Sequence, residues 1–131
     1  MIPSMWSATF EHPLFDSFLR EFRAGRYFEA HEVLEELWIL EERPARGPLR
    51  GLVQLAVACE HYRRGNRGGA RGVFVRARAN LLDGALASGQ GETAIETDPI
   101  DGLDRTLRRY ERILVEGRPE PLPGLNSVFW N

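Results

Sequence analysis

The chain reads FRAGR at residues 22–26 and YRRGN at residues 62–66, 40 positions later. The correspondence continues into the segments that follow, where Ala30 matches Ala70. An aromatic residue, a tight glycine turn and a small residue in the next helix allow two helices to cross closely, as in tetratricopeptide hairpins. Two such units are fewer than the roughly three that a solenoid needs, so the sequence predicts a closed bundle containing two hairpins.

Hydrophobic residues at helical spacing predict five helices along the chain. Three of these helices begin at or next to a proline, because the first helical turn tolerates a missing N–H: Pro13, Pro48 and Pro99. Two helices are expected to end at Gly25 and before Pro44. The predicted helices cover residues 13–24, 27–42, 48–64, 67–86 and 98–115. The predicted fold class is therefore all-α: a five-helix bundle of two antiparallel tetratricopeptide-like hairpins, a C-terminal helix and an extended tail.

The length is typical of one domain, and we expect a single helical domain over residues 1–131. The core hairpins are expected at residues 12–86, the C-terminal helix at 98–117 and a Pro-rich extended tail at 118–131. We expect the aromatic residues at the end of this tail to dock on the body of the molecule or on a neighbouring one.

The amino-acid composition indicates which cellular compartment and which kinds of partner to expect. The formal net charge is −2, and every basic residue is Arg because the chain contains no Lys. Cys59 is the single cysteine, so no internal disulfide can form and a reducing, cytoplasmic setting is expected. The sequence shows no N-terminal signal pattern and no run of ~18 apolar residues, so we expect no membrane partner.

Polar side chains form a stripe on each of the second and third predicted helices. At ~100° per residue, positions spaced i, i+4, i+7 and i+11 share one narrow face. The stripes consist of His31, Glu35, Trp38 and Glu42 on the second helix and of Arg50, Gln54, Val57 and His61 on the third. A short connection makes these helices antiparallel neighbours, and folding about residues 45–46 brings Glu42 beside Arg50 and His31 level with His61. We call this double stripe the polar seam.

The polar seam has two interpretations. In the first, its side chains form a hydrogen-bonded network that satisfies buried polar groups. In the second, His31 and Glu35 share one metal ion, and His61 supplies a third ligand. Glu32 or Glu60 then acts as a further ligand or as the general base. Two histidines and a carboxylate suit Zn²⁺ or non-haem Fe²⁺. The segment begins like the zincin motif His-Glu-x-x-His, but Glu35 stands where the second His is needed.

Arginines concentrate around the predicted connection between the third and fourth helices. They are Arg63, Arg64, Arg67, Arg71, Arg76 and Arg78. We interpret them as a solvated face, with an anion-binding or nucleic-acid patch as the alternative. No stacking aromatic residues interleave with these arginines, so we do not expect a nucleic-acid partner.

The stretches at residues 25–38, 51–58 and 61–66 resemble the domain-of-unknown-function family 309, whose members are small all-helical prokaryotic proteins. These stretches read GRYFEAHEVLEELW, GLVQLAVA and HYRRGN. The resemblance covers roughly residues 12–85. The family has been loosely labelled a predicted metal-dependent hydrolase, and that label implies a site made by His31, Glu32, Glu35, Glu36 and His61.

The sequence predicts a helical protein of unknown biochemical function and supports two hypotheses about its role. The first is a protein-interaction or self-associating module, whose partner is a second copy or another protein. The alternative is a metal-dependent hydrolase, with Zn or Fe held at the polar seam. The sequence does not decide whether the chain is an enzyme.

Overall fold

Five helices make up the part of the chain that the computed structural model describes, namely residues 12–43, 47–85 and 98–123. They are α1 (Pro13–Arg23), α2 (Tyr27–Leu40), α3 (Pro48–Arg63), α4 (Arg67–Ala85) and α5 (Asp98–Leu114). No strand occurs within those three ranges, so the predicted all-α fold is confirmed. The expected docking of the tail's aromatic end falls on residues outside the described ones.

The start of α1 shows how local chemistry sets a helix boundary. His12 is its N-cap residue, and the backbone N–H of Leu14 donates to Nδ1 of His12 at 3.1 Å. Pro13 occupies the first helical position, where its missing N–H leaves no partner unsatisfied. The side chains of Phe15, Phe18 and other apolar residues then turn inward into the core.

Two equivalent glycine turns confirm the internal repeat at an offset of 40 residues. Gly25 and Gly65 both adopt left-handed backbone conformations, with φ of 80° and 83°. At each turn a 6→1 hydrogen bond closes the end of the preceding helix, from the Arg26 N–H to the Glu21 carbonyl (2.9 Å) and from the Asn66 N–H to the His61 carbonyl (2.8 Å). Both helices that follow, α2 and α4, then pack inward through fully buried alanines, Ala30 and Ala70.

The second helix ends earlier than the prediction of residue 42, because α2 stops at Leu40. The Glu42 N–H donates to the Ile39 carbonyl and the Arg43 N–H donates to the Trp38 carbonyl, which is the hydrogen-bond pattern of a Schellman turn. Glu42 has a φ of 67°, a left-handed conformation that nothing in its side chain predicts. Glu42 therefore lies in an exposed turn beyond the helix.

The central helix α3 runs antiparallel to α2. At one end of the contact, His31 and His61 line the same pocket. At the other end, the guanidinium carbon of Arg50 lies 5.1 Å from the centre of the Trp38 ring. Pairing an early residue of α2 with a late residue of α3, and the reverse, is possible only if the two helices run in opposite directions.

The contact between α3 and α4 is also antiparallel and unusually close. A Cβ atom added at Gly51 would lie 2.6 Å from Cγ of Leu81 and 3.1 Å from the carbonyl oxygen of Ala77. One turn further along α3, the amide nitrogen of Asn80 donates to Oε1 of Gln54 at 2.8 Å. The absence of a side chain at position 51 therefore sets how closely the two helices approach.

The fifth helix and the start of the tail close the remaining side of the core. Tyr110 of α5 is fully buried and packs edge-on against Phe22 of α1, with ring centres 6.5 Å apart. Its hydroxyl donates to the backbone carbonyl of Pro123, and Leu122 packs against the core. Leu122 and Pro123 of the tail thus pack on their own chain.

Candidate functional site

A pocket lies where α2 meets the C-terminal half of α3, and it contains two histidines. Its volume is about 230 Å³. It is lined by Phe28, His31, Val57, Glu60, His61 and Arg64. We call it the two-histidine pocket. The predicted juxtaposition of His31 and His61 is therefore present in the fold.

The hydrogen bonds of His31 define its tautomer. Nδ1 of His31 lies 3.3 Å from the carbonyl oxygen of Phe28, which can only accept a hydrogen bond, so Nδ1 carries the proton. Nε2 of the same ring lies 3.8 Å from Oε1 of Glu35, one helical turn away. Nδ1 of His31 is thus a donor to the helix backbone, and Nε2 lies beside the Glu35 carboxylate.

Asn66 fixes the opposite tautomer on His61. Asn66 is the residue that precedes α4, and its Oδ1 accepts the backbone N–H of Gly69 at 2.9 Å. Because its oxygen is used in this way, Asn66 presents its amide nitrogen to Nδ1 of His61, 3.1 Å away. Nδ1 of His61 must then be the acceptor, and the neutral ring carries its proton on Nε2. The second nitrogen of the neutral His61 ring is therefore a donor.

Glu60 forms the charged floor of the pocket. Its side chain is only 10% exposed and accepts hydrogen bonds from both Arg63 and Arg64. The hydrogen bonds from Arg63 are the main reason that the pKa of the Glu60 carboxyl lies below its ordinary value. Arg64 also stacks over the Phe28 ring, with its guanidinium carbon 5.9 Å from the ring centre. The carboxylate is thus already paired and serves to hold Arg64 at the pocket.

Several members of the predicted polar seam lie outside this pocket. Trp38 is half-buried beneath the Arg50 guanidinium. Gln54 is buried against α4 and accepts its hydrogen bond from Asn80, because position 54 is turned ~40° around α3 from position 50, toward α4. Glu42 lies in the turn after α2. The seam is therefore two separate contacts, one between α2 and α3 and one between α3 and α4.

The predicted metal ligands are only partly brought together. Within the described residues, no group of three His, Cys, Asp or Glu side chains is arranged to hold a metal ion. Glu35 lies beside His31, but it also lines an open groove on the outer face of α2 that includes Glu32 and Glu36. Glu32, the predicted general base, is exposed in that groove and does not line the two-histidine pocket.

The pocket contains features that the sequence reasoning missed. Phe28 and Arg64 form part of its wall, and Asn66 sets the tautomer of His61. The position of Asn66, directly after the glycine turn and before α4, is a signal for a helix cap. The further contact with His61, five residues earlier, depends on the geometry of that turn.

Cys59 is not a candidate nucleophile. It is completely buried, and this burial raises the pKa of its thiol far above the ordinary value. A thiol that stays protonated in an apolar environment is inert. Cys59 therefore serves as a small core residue of α3.

The fold and site together define an all-helical domain with a small two-histidine pocket between antiparallel helices. Residues 15–73, from α1 to the first turns of α4, match the model of the family described as Domain of unknown function (DUF309). The uncharacterized protein YpuF of Bacillus subtilis (strain 168) is 50% identical over 58 residues, an alignment that covers 41% of this chain and 32% of the relative. The chain thus spans about a third of the length of the curated relative it matches.

No solved structure matches the chain. Among the described helices, none has both the length and the apolar character that crossing a membrane requires.

Proposed function

We propose that this protein is a non-catalytic recognition module whose two-histidine pocket receives one side chain or amide group of a partner polypeptide. The observation that carries the proposal is the size of the pocket. Its volume of about 230 Å³ is smaller than the roughly 300–1,000 Å³ of typical substrate and cofactor sites. A pocket of this size suits one apolar side chain better than a whole small-molecule substrate.

The lining of the pocket supports a polypeptide as the ligand. Phe28 is 43% exposed at the edge of the pocket, and it provides an apolar wall together with Val57. The neutral His61 ring offers a donor N–H at Nε2. A peptide or side-chain amide carries a carbonyl oxygen that can accept this hydrogen bond. Aromatic side chains at such a pocket supply contact area with few rotatable bonds.

A peptide selection tests this proposal. Random peptides displayed on phage are selected on the wild-type protein and then tested against Val57→Phe, which fills the pocket with a larger side chain. We expect the selection to enrich a motif with one fixed apolar position, and we expect Val57→Phe to abolish its binding. Ala24→Phe is the matched control because Ala24 is exposed at the end of α1 and does not line the pocket, and it should retain binding.

Two results would contradict the proposal. One is a selection that enriches no motif over repeated rounds. The other is an enriched motif that binds Val57→Phe as tightly as it binds the wild type. Circular dichroism of the Val57→Phe variant distinguishes a filled pocket from a protein that has lost its fold.

The second candidate function is a metal-dependent hydrolase, and the observation in its favour is that His31 lies beside Glu35 and lines the same pocket as His61. In the described arrangement, the Asn66 hydrogen bond leaves His61 with an N–H rather than a lone pair at Nε2. Metal binding at that atom requires the Asn66 side chain to rotate away. Elemental analysis of protein purified without a histidine tag tests this candidate: stoichiometric Zn or Fe supports it, and metal-free protein contradicts it.

The proposal includes a cytoplasmic location. It is supported by Cys59, which is free and buried as expected for a protein in a reducing compartment. Retention of the protein in the cytoplasmic fraction of the cell, measured by immunoblotting, is the expected result.

A further inference from the structure

The outer faces of α2 and α4 carry opposite charge. The acidic residues of α2 are Glu29, Glu32, Glu35 and Glu36, and α2 contains no Arg. The arginines of α4 are Arg67, Arg71, Arg76 and Arg78, and its one carboxylate residue is Asp83. The two equivalent helices of the internal repeat thus have opposite polarity.

The same two helices also carry the exposed apolar side chains. Four large hydrophobic residues are exposed within the described part of the chain: Phe28, Ile39 and Leu40 of α2 and Val75 of α4. Their exposed fractions run from 43% to 60%. Ile39 and Leu40 lie about one helical turn from Glu36, so exposed apolar and acidic side chains adjoin at this end of α2.

The helices α2 and α4 run parallel to each other, and each of them packs on α3. Both run antiparallel to α3, so they share one direction. Arg50 contacts α2 and the next residue, Gly51, contacts α4, which places the two helices ~100° apart around α3. His61 lies level with His31 on α2 and with Gly69 on α4, so residues about 40 apart in sequence lie at the same height.

We propose that a second copy of this chain covers this surface, with α2 of each copy packed on α4 of the other. A twofold axis parallel to the two helices produces this arrangement. Rotation about it brings α4 of one copy opposite α2 of the other, and each residue keeps its position along the axis. Glu36 then faces Arg76 of the partner subunit, and Ile39 faces Ala79 of the partner subunit. Glu36 and Arg76 are exposed, and neither has an ion-pair partner within the described residues.

The opposite charges of α2 and α4 favour this twofold axis over the alternative one. A twofold axis perpendicular to the helices, in the plane of the contact, would place α2 on α2 and α4 on α4. That arrangement opposes carboxylates to carboxylates and arginines to arginines, and such like-charge contacts are strongly unfavourable. In the proposed arrangement, the large side chain of Ile39 on α2 meets the small residue Ala79 on α4, and opposite charges meet each other.

The test is the molar mass of the full chain, measured by size-exclusion chromatography with light scattering. We expect the wild type to have twice the 14.9 kDa mass of one chain. Glu36→Arg and Arg76→Glu each oppose like charges across the contact, so each should weaken association by at least about tenfold. The double variant with both substitutions restores opposite charges and should be dimeric again.

Arg118→Glu is the matched control, because it reverses the charge of an exposed arginine in the tail and should leave the dimer intact. A wild type that stays monomeric at the highest concentration reached would overturn the proposal. So would single variants that remain dimeric, or a double variant that remains monomeric. The readout is mass and does not involve a peptide ligand, so a monomeric wild type would overturn this proposal without deciding the proposed function.

Discussion

Asn66 links the architecture of the protein to the chemistry of the pocket. Its oxygen caps the start of α4 through the Gly69 N–H, and its nitrogen therefore donates to His61. One side chain thus holds the helix start in place and selects which nitrogen of the imidazole carries the proton. Sequence reasoning identified His31 and His61 from their helical spacing, but it could not identify this link, because the link depends on how the turn at Gly65 folds.

Asn66→Asp should reverse the tautomer of His61 while it keeps the helix cap. An aspartate oxygen still accepts the Gly69 N–H, but the second oxygen faces the imidazole as an acceptor, so Nδ1 of His61 must carry a proton. Nitrogen-15 NMR of the imidazole ring measures this directly. We expect the Nε2–H form in the wild type and a protonated Nδ1 in the variant.

Asn66→Ala is the companion variant for this measurement. It removes both hydrogen bonds and should lower the free energy of unfolding by about 1 kcal/mol through the lost cap. Identical His61 spectra in the wild type and in Asn66→Asp would show that Asn66 does not determine the tautomer.

At the scale of helices, most boundaries could be predicted because side-chain chemistry encodes them. Proline at a first turn and glycine after a last turn placed the ends of α1, α3 and α4 to within one residue. The end of α2 was predicted two residues late, because Glu42 and Arg43 adopt positive φ without the glycine that normally signals such a turn.

The close contact of α3 with α4 depends on Gly51, and Gly51→Ala should destabilise the protein. The new methyl group would meet Leu81 and the backbone of α4, and forcing extra atoms into a packed interface costs about 1–3 kcal/mol. The measurement is the urea midpoint of unfolding, followed by circular dichroism.

Gly72→Ala in α4 should have the opposite effect on the stability of the protein. Position 72 is exposed within α4 and an added Cβ meets nothing within 4 Å, so alanine should stabilise the helix by about 0.5–1 kcal/mol. Equal effects of the two substitutions would mean that α3 and α4 are further apart than described.

On the scale of the whole molecule, the core buries ionisable groups in their neutral forms. Burial raises the pKa of Tyr27 to about 12, and it raises the pKa values of Tyr110 and Cys59 well above their ordinary values of 10.0 and 9.0. The overall bundle was predictable because its apolar periodicity is strong. The mutual electrostatic influence of these three residues could not be predicted, because they come from α2, α3 and α5 and no local pattern links them.

The protein should therefore lose stability in alkaline solution. Above about pH 9 the unfolded chain releases protons that the folded chain retains, so the free energy of unfolding falls as the pH rises toward about 12. Urea unfolding at a series of pH values measures this. Tyr27→Phe removes one of the groups and should flatten the dependence above pH 10, whereas an unchanged urea midpoint up to pH 12 would contradict the burial of these residues.

The most direct test of the central claim, that His31 and His61 line one pocket across antiparallel helices, is a proton NMR comparison of Val57→Phe with Val57→Leu. The aromatic ring in the first variant shifts nearby protons, and the leucine variant controls for the change in size. We expect the ring protons of both His31 and His61 to shift, while those of His12, at the start of α1, do not. A shift of His61 alone, which lies one turn from position 57 on the same helix, would contradict the account.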